Sequence, residues 1–235
     1  MLSTDFWKKY FRDYDTLQEL GAYRELMQSL YSALQHNQED TILDLGAGTG
    51  NLQVLFSEIK PAQMVCFDMS EEGLARCTQK APWATTVKGD LEETLPFADA
   101  SFSIIVSNNA LYTIARRERE SIYREIARVL KPEGRMVIAN ILEHFSPFAI
   151  YMHEIKRKMR LEGIAKTAYD AIRLLPPTMR IMYYNARIKK AHSTGEYNLF
   201  SKGEQSRELE KVGLSIVHAQ NAYADQSELV VAIKK

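Results

Sequence analysis

Apolar and polar positions along this chain alternate between two rhythms. From residue 3 to residue 35 apolar side chains recur at steps of three and four. Leu20, Tyr23, Met27, Leu30 and Leu34 share one face, which predicts a helical N-terminal cap over residues 1–36. Short apolar runs then follow at residues 41–45, 64–67, 84–87, 103–106 and 135–140, and these read as five strands. Helices are expected between them: over 51–59, after Ser70 with Glu71 and Glu72 in the first turn, and over 116–130. Lys131-Pro132-Glu133-Gly134 reads as the stop signal of the last of these. Strands alternating with helices predict a doubly wound α/β architecture, a mostly parallel sheet covered on both faces.

The rhythm changes after the fifth strand. Residues 145–195 are rich in Met, Tyr, Ile and Arg, show no strand pattern and contain a Pro176-Pro177 pair read as a hinge. They predict a helical lid inserted into a single domain that spans 1–235. Ser201 and Glu204 have capping-box spacing, so a helix should run from there to Lys211. Residues 214–219 and 228–233 read as two closing strands, making seven in all.

Composition narrows the class. Thirty basic and thirty acidic residues cancel, which removes any overall attraction to nucleic acid. The two cysteines, Cys66 and Cys77, have no metal-ligand spacing and are too few for a disulfide framework. No secretory leader or apolar membrane span is visible, so a cytoplasmic setting is expected. The balance of charge hides a local excess. Between His144 and Gly195 there are ten basic residues against only Glu154, Glu162 and Asp170.

The chemistry concentrates at the end of the first strand, where Asp44-Leu45 runs into Gly46-Ala47-Gly48-Thr49-Gly50. Glycines allow a sharp turn that presents bare backbone N–H groups, and a following helix directs its positive end to the same place. Asp68, at the end of the next strand, can accept both hydroxyls of a ribose. A dinucleotide fingerprint would require a third glycine where Asn51 stands, which disfavours a nicotinamide-dependent oxidoreductase.

Further motifs follow in order: Phe67-Asp68-Met69-Ser70, Gly89-Asp90, Leu95-Pro96-Phe97, Ser101-Phe102, Ser107-Asn108-Asn109-Ala110-Leu111 and Val129-Leu130-Lys131-Pro132-Glu133-Gly134. Together with the glycine turn they resemble the class I S-adenosylmethionine-dependent methyltransferases, especially the branch that includes ubiquinone and menaquinone biosynthesis enzymes. The resemblance covers residues 40–140 and, more faintly, the final strands; residues 145–195 lie outside it. It implies a Rossmann-like methyltransferase fold, S-adenosylmethionine as cofactor and S-adenosylhomocysteine as product. It also implies roles. Gly46, Ala47 and Gly48 lie against the methionine and ribose portions, above Asp44. Asp68 takes the ribose hydroxyls and Met69 packs on adenine. Asp90 accepts from the adenine amino group, with the Leu91 backbone nearby. Ser107, Asn108 and Asn109 border the sulfonium. An aromatic N-terminal helix often folds over the cofactor in this family, and Tyr14 is the candidate contact.

Methyl transfer is a displacement whose barrier falls when nucleophile, methyl carbon and sulfur are held in line. An oxygen nucleophile adds a need for proton removal. Among five histidines, His144 is the candidate base, because it follows the fifth strand. Tyr112 stands where many relatives carry histidine, and it can orient a substrate but is a poor base. In the lid, Phe148, Met152 and Ile155, continued by Met159, form an apolar stripe beside basic residues, and the first three are the candidate substrate contacts. Such a lid suits a small apolar or aromatic acceptor methylated at oxygen or carbon. It also suits a solvated cover on the core, or contact with a membrane surface or a carrier-bound substrate. RNA methylation is disfavoured, since no RNA-binding module is visible. A non-catalytic cofactor sensor or partner subunit is the alternative to an enzyme. No metal site is expected.

Overall fold

The computed structural model describes residues 6, 9, 10, 15, 18, 20–194 and 197–235, without the side chains of residues 174, 175 and 177. Seven strands form one sheet in the order β3-β2-β1-β4-β5-β7-β6. They are β1 (Thr41–Leu45), β2 (Gln63–Asp68), β3 (Thr85–Lys88), β4 (Phe102–Asn108), β5 (Leu130–Ile141), β6 (Leu214–Ala222) and β7 (Ser227–Lys234). The first five are mutually parallel, and β7 runs antiparallel between β5 and β6. This is the Rossmann-like methyltransferase architecture.

Period-two alternation explains why the central strands are apolar throughout. Leu43, Ile105 and Met136 enter one core, while their neighbours Ile42, Ile104 and Val137 enter the other. Helix α1 (Gly21–Leu34) covers the second face with Tyr23, Met27, Leu30 and Leu34 buried. Helix α2 (Glu71–Lys80) follows β2, capped by Ser70 Oγ accepting from the Gly73 N–H. Helix α3 (Arg119–Val129) covers the first face through Ile122, Tyr123, Ile126 and Val129.

Two elements depart from the sequence pattern. Residues 51–59 form only a short 3₁₀ segment, Gln53–Ser57, in which Phe56 leaves helical geometry. The side chain of Gln53 is drawn inward to Asp44 instead. Strand β5 also begins earlier than expected. Leu130 pairs with Phe102, and the register shifts before Arg135 pairs with Ile104, so the Lys131–Gly134 turn is an irregularity at the start of the strand.

The lid consists of α4 (Pro147–Glu162) and α5 (Ile164–Ser193), separated by Gly163 at φ +84°. Helix α5 passes through Pro176-Pro177, so the expected hinge is absent. The two prolines remove N–H donors whose carbonyl partners belong to Ile172 and Arg173, both exposed to water. The ends of the insertion are pinned together where Leu142 bridges Phe200 and the Glu143 N–H donates to the Phe200 carbonyl. Beyond it, α6 (Glu204–Lys211) starts later than the capping-box spacing predicts, with Gly203 at its N-cap and no side-chain cap; the Ser201 hydroxyl and N–H instead donate to the Glu204 carboxylate. Arg119, buried at the head of α3, pairs with Glu204 at 3.3 Å and lies 3.7 Å above the Phe200 ring.

The lid is also part of the framework. Leu20, at the N-cap of α1, offers no capping side chain. Glu154 of α4 supplies one from 133 residues away, its Oε2 accepting from Gly21 N–H at 2.9 Å. Arg157 holds the same carboxylate at 2.9 Å. Burial opposes ionisation of Glu154 most strongly, but Arg157 and the Gly21 N–H outweigh it and hold the carboxyl below its usual range. Replacing Glu154 with Ala should therefore destabilise the protein by ~1–3 kcal/mol, the scale of a lost charged hydrogen bond. Because the folded-state pKa is lowered, the parent's advantage should hold at neutral pH and shrink as pH falls through the carboxylate range. Urea unfolding across pH checks both.

Candidate functional site

The turn after β1 is built from backbone. Gly46 and Ala47 both donate N–H groups to the Phe67 carbonyl, at 2.8 and 3.1 Å. Gly46 takes φ +79°, and a Cβ there would come within 2.3 Å of Ala110. Only glycine fits, because the turn is both left-handed and pressed against the loop after β4. Gly48 then donates to Asp68 Oδ2, and Ser70 N–H donates to Asp68 Oδ1, each at 2.8 Å. Asp68 is thus held at the end of β2, facing a cavity it shares with Asp44, Gly46, Ala47 and Gly48. Burial raises the Asp68 pKa against the opposing pull of these backbone donors.

Asn51 occupies the place of the missing third glycine, and its side chain is put to use. It lines the cavity, donates to the Tyr23 hydroxyl and accepts from Lys80 Nζ at 2.6 Å. Lys80 also pairs with Asp15 at 2.6 Å, and Asp15 accepts from the Thr49 hydroxyl. One polar network therefore fastens the N-terminal segment to the glycine turn.

Other predicted cofactor contacts line the same cavity. Met69, Asp90 and Leu91 contribute from the loops after β2 and β3, and Asn108 and Asn109 from the end of β4. Asn109 sits at φ +53° with its N–H on the Ala139 carbonyl. The Oδ1 atoms of Asn108 and Asn109 are buried without a hydrogen-bond partner, as expected of acceptors waiting for a ligand's donor. Ser107 is placed differently. It is buried on β4 with its hydroxyl on the Leu45 carbonyl at 2.8 Å, tying two strands together outside the cavity. Tyr14 lies outside the described residues.

Aromatic side chains line the same cavity. Tyr112, at 3% exposure, meets Tyr197 edge-on at 6.0 Å. Tyr10, Tyr223, Phe145 and Ile141 complete this wall, and Asn185 of α5 adds a polar group. Burial first, and neighbouring tyrosines second, push the hydroxyls of Tyr10, Tyr112 and Tyr223 up from the ordinary phenol range. They are therefore donors at neutral pH and not bases.

Two expectations are corrected here. His144 is exposed and turned away, its Nε2 at 3.0 Å from the Asp225 carbonyl. The following residue, Phe145, faces the cavity in its stead. Phe148 is 60% exposed, and neither it nor Met152 nor Ile155 lines the cavity. The lid turns Ile150, Glu154 and Lys158 inward, so the Phe148 stripe lies on another face of α4. The aromatic wall was missed because Tyr10, Tyr197 and Tyr223 come from separate segments with no shared spacing.

Asp44 is the strained member of the site. Burial pushes its carboxyl up to about 7, opposed by a 2.6 Å hydrogen bond from Gln53 and reinforced by the charge of Asp68. Between the unfolded carboxylate range and pH 7 the folded chain keeps a proton that the unfolded chain has released, so this group's contribution to stability falls as pH rises. Asp44→Asn removes that titration. Relative to the parent, the variant should gain stability as pH rises from about 4 to about 7, by on the order of a few kcal/mol, and then level off. Parallel urea unfolding of both proteins over this range is the check.

Comparison with known proteins agrees with the geometry. The family model described as "Methyltransferase domain" matches residues 43–138. A malonyl-[acyl-carrier protein] O-methyltransferase of Methylococcus capsulatus is 30% identical over 171 residues, covering 63% of this chain and 61% of the relative. A demethylmenaquinone methyltransferase of Chlorobaculum tepidum is 32% identical over 114 residues, covering 48% of this chain and 45% of the relative. The chain thus spans about half the length of these curated relatives. Among solved structures, a TehB-like methyltransferase from Corynebacterium glutamicum superposes with a TM-score of 0.64 at 19% identity, covering 99% of this chain and all of that one. S-adenosylmethionine is the cofactor of this family, and the bare glycine turn, the aimed Asp68 and the unpartnered asparagine oxygens fit it. In its sheet order, its glycine turn and the match over residues 43–138, the chain is similar to the class I S-adenosylmethionine-dependent methyltransferases.

Proposed function

We propose that the protein transfers the methyl group of S-adenosylmethionine to oxygen or carbon of a small apolar or aromatic acceptor. The observation that carries this is one cavity lined both by the glycine turn and carboxylates at the ends of β1–β4 and by the aromatic side chains of Tyr10, Tyr112, Phe145, Tyr197 and Tyr223. When bound, the cofactor supplies a methyl group on a sulfonium that is already a good leaving group. The residues of the chain bind and orient. Asp68 and the turn fix the cofactor, while Tyr112, Tyr197 and Phe145 shape a surface for a flat or apolar partner. The name of the demethylmenaquinone methyltransferase relative supports an apolar ring acceptor.

No histidine, lysine, arginine or cysteine lines the cavity among the described residues. Four carboxylates line it: Asp44 on β1, Asp68 at the end of β2, and Asp90 and Glu92 in the loop after β3. Burial and then the charge of Asp90 raise the Glu92 carboxyl, and the buried tyrosines keep their protons. The proposed catalysis therefore rests on alignment and exclusion of water, with an acceptor whose nucleophile ionises readily or is a carbon. We place the enzyme in the cytoplasm, in keeping with the unpaired thiols of Cys66 and Cys77.

Calorimetry should show binding of S-adenosylmethionine and S-adenosylhomocysteine without competition by NAD. Asp68→Ala should weaken cofactor binding by ~1–3 kcal/mol, as for hydrogen bonds to a charged group. Tyr197→Ala should leave cofactor affinity unchanged and raise the acceptor's KM roughly tenfold, the scale of a lost aromatic contact. The assay is S-adenosylhomocysteine release with phenol, quinol and carboxylic acid acceptors. Cofactor binding with no turnover on any extracted metabolite would favour the sensor role.

A further inference from the structure

We propose that the outer face of the lid docks this protein on an anionic lipid surface. The proposal deepens the apolar-acceptor reading, and rests on it for where the substrate comes from. Twelve large hydrophobic side chains are exposed among the described residues, and eight of them lie between Phe148 and Tyr183. Single exposed apolar residues are ordinary, but a concentration of them on one element is not.

Their arrangement on α5 is ordered. Ile172 and Met179 lie seven residues apart, at 74% and 61% exposure, and Tyr169 and Tyr183 lie fourteen apart, at 67% and 58%. Steps of seven return to nearly the same side of a helix, so these residues form two adjacent rows along it. The next row round the helix is cationic: Lys166, Arg173, Arg180 and Arg187, again at steps of seven. Leu161 and Ile164, at 66% and 73% exposure, extend the apolar surface around the Gly163 turn. The helix is 30 residues long, or ~45 Å.

Charge complementarity selects the occupant. The three acidic residues of the lid are all engaged: Glu154 with Arg157, Asp170 with Lys158 at 2.7 Å and Arg173 at 4.0 Å, and Glu162 with Lys166 at 3.1 Å, which leaves basic residues in excess along the helix. The lid therefore keeps its positive excess and offers no exposed unpaired carboxylate. An apolar stripe with a basic flank on a long helix matches the interface of a bilayer with anionic headgroups. No helix of the described residues is long and apolar enough to cross a membrane, so the contact is peripheral. The same helix supplies Asn185 to the cavity, which joins the docking face to the acceptor site.

Flotation of the full chain with vesicles tests this, without acceptor present. The protein should float with vesicles of equimolar phosphatidylcholine and phosphatidylglycerol and not with phosphatidylcholine alone, and salt should weaken binding. The double variant Arg173→Glu, Arg180→Glu should bind less by on the order of tenfold or more. Ile172→Ser with Met179→Ser should also lose flotation. Unchanged S-adenosylmethionine affinity in both shows that they fold. No flotation of the parent, or equal flotation of parent and both variants, overturns the proposal. So does retention on purified acyl carrier protein or on RNA without vesicle binding. Vesicle binding is read without turnover. A floating protein that methylates only water-soluble acceptors therefore keeps the docking face and refutes the apolar-acceptor reading.

Discussion

The hydrogen bonds from Gly46 and Ala47 to the Phe67 carbonyl anchor everything functional in this protein. They lock the turn after β1 onto the end of β2, at a separation only a residue without Cβ tolerates against Ala110. From that lock Gly48 reaches the Asp68 carboxylate, and Asn51 reaches Tyr23 and Lys80. The cofactor-binding lining of the cavity is thus mostly backbone and two aimed carboxylates. Its shape is set by the sheet, so it is formed before any ligand arrives.

The site works against stability where it matters most. Asp44 is buried beside Asp68, and burial makes its ionised form costly. Gln53 offsets part of that cost from the start of the short 3₁₀ segment that stands where a helix was expected. A carboxylate in this position is an electrostatic resource for a cationic ligand. Its retention is the usual conflict between a stable core and a functional one. The aromatic lining has the opposite character. Its tyrosines are neutral and pack edge to edge, so it offers shape and hydroxyl donors in place of charge.

The lid joins the two halves of the molecule. Its inner face closes the framework: Glu154 caps α1, and the pinned ends at Leu142 and Phe200 return the chain to the sheet. Arg119, buried under Phe200 and paired with Glu204, holds that return against α3. Because the inner face is committed to packing, the exposed apolar rows of α5 remain for contacts outside the molecule.

How much of this was legible follows from the range of each interaction. The strands and the two-sided core were readable because burial on both faces writes continuous apolar runs, as in 41–45 and 103–106. The glycine turn and Asp68 were readable because a tight turn and a strand-end acid are local patterns. Orientation was harder. Ser107 and His144 each belong to the right region, yet Ser107 points into the sheet, because one residue of offset along a strand reverses a side chain, and His144, in the turn after β5, lies against the Asp225 carbonyl. The cap on α1 from Glu154 and the wall built by Tyr10, Tyr197 and Tyr223 have no sequence signature at all. The sequence by itself determined the strands and the cofactor turn, since these rest on period and on neighbours a few residues apart. The tertiary structure alone decided which aromatics meet, which carboxylate is buried and which lid face is left outward, since those depend on contacts between segments far apart in the chain.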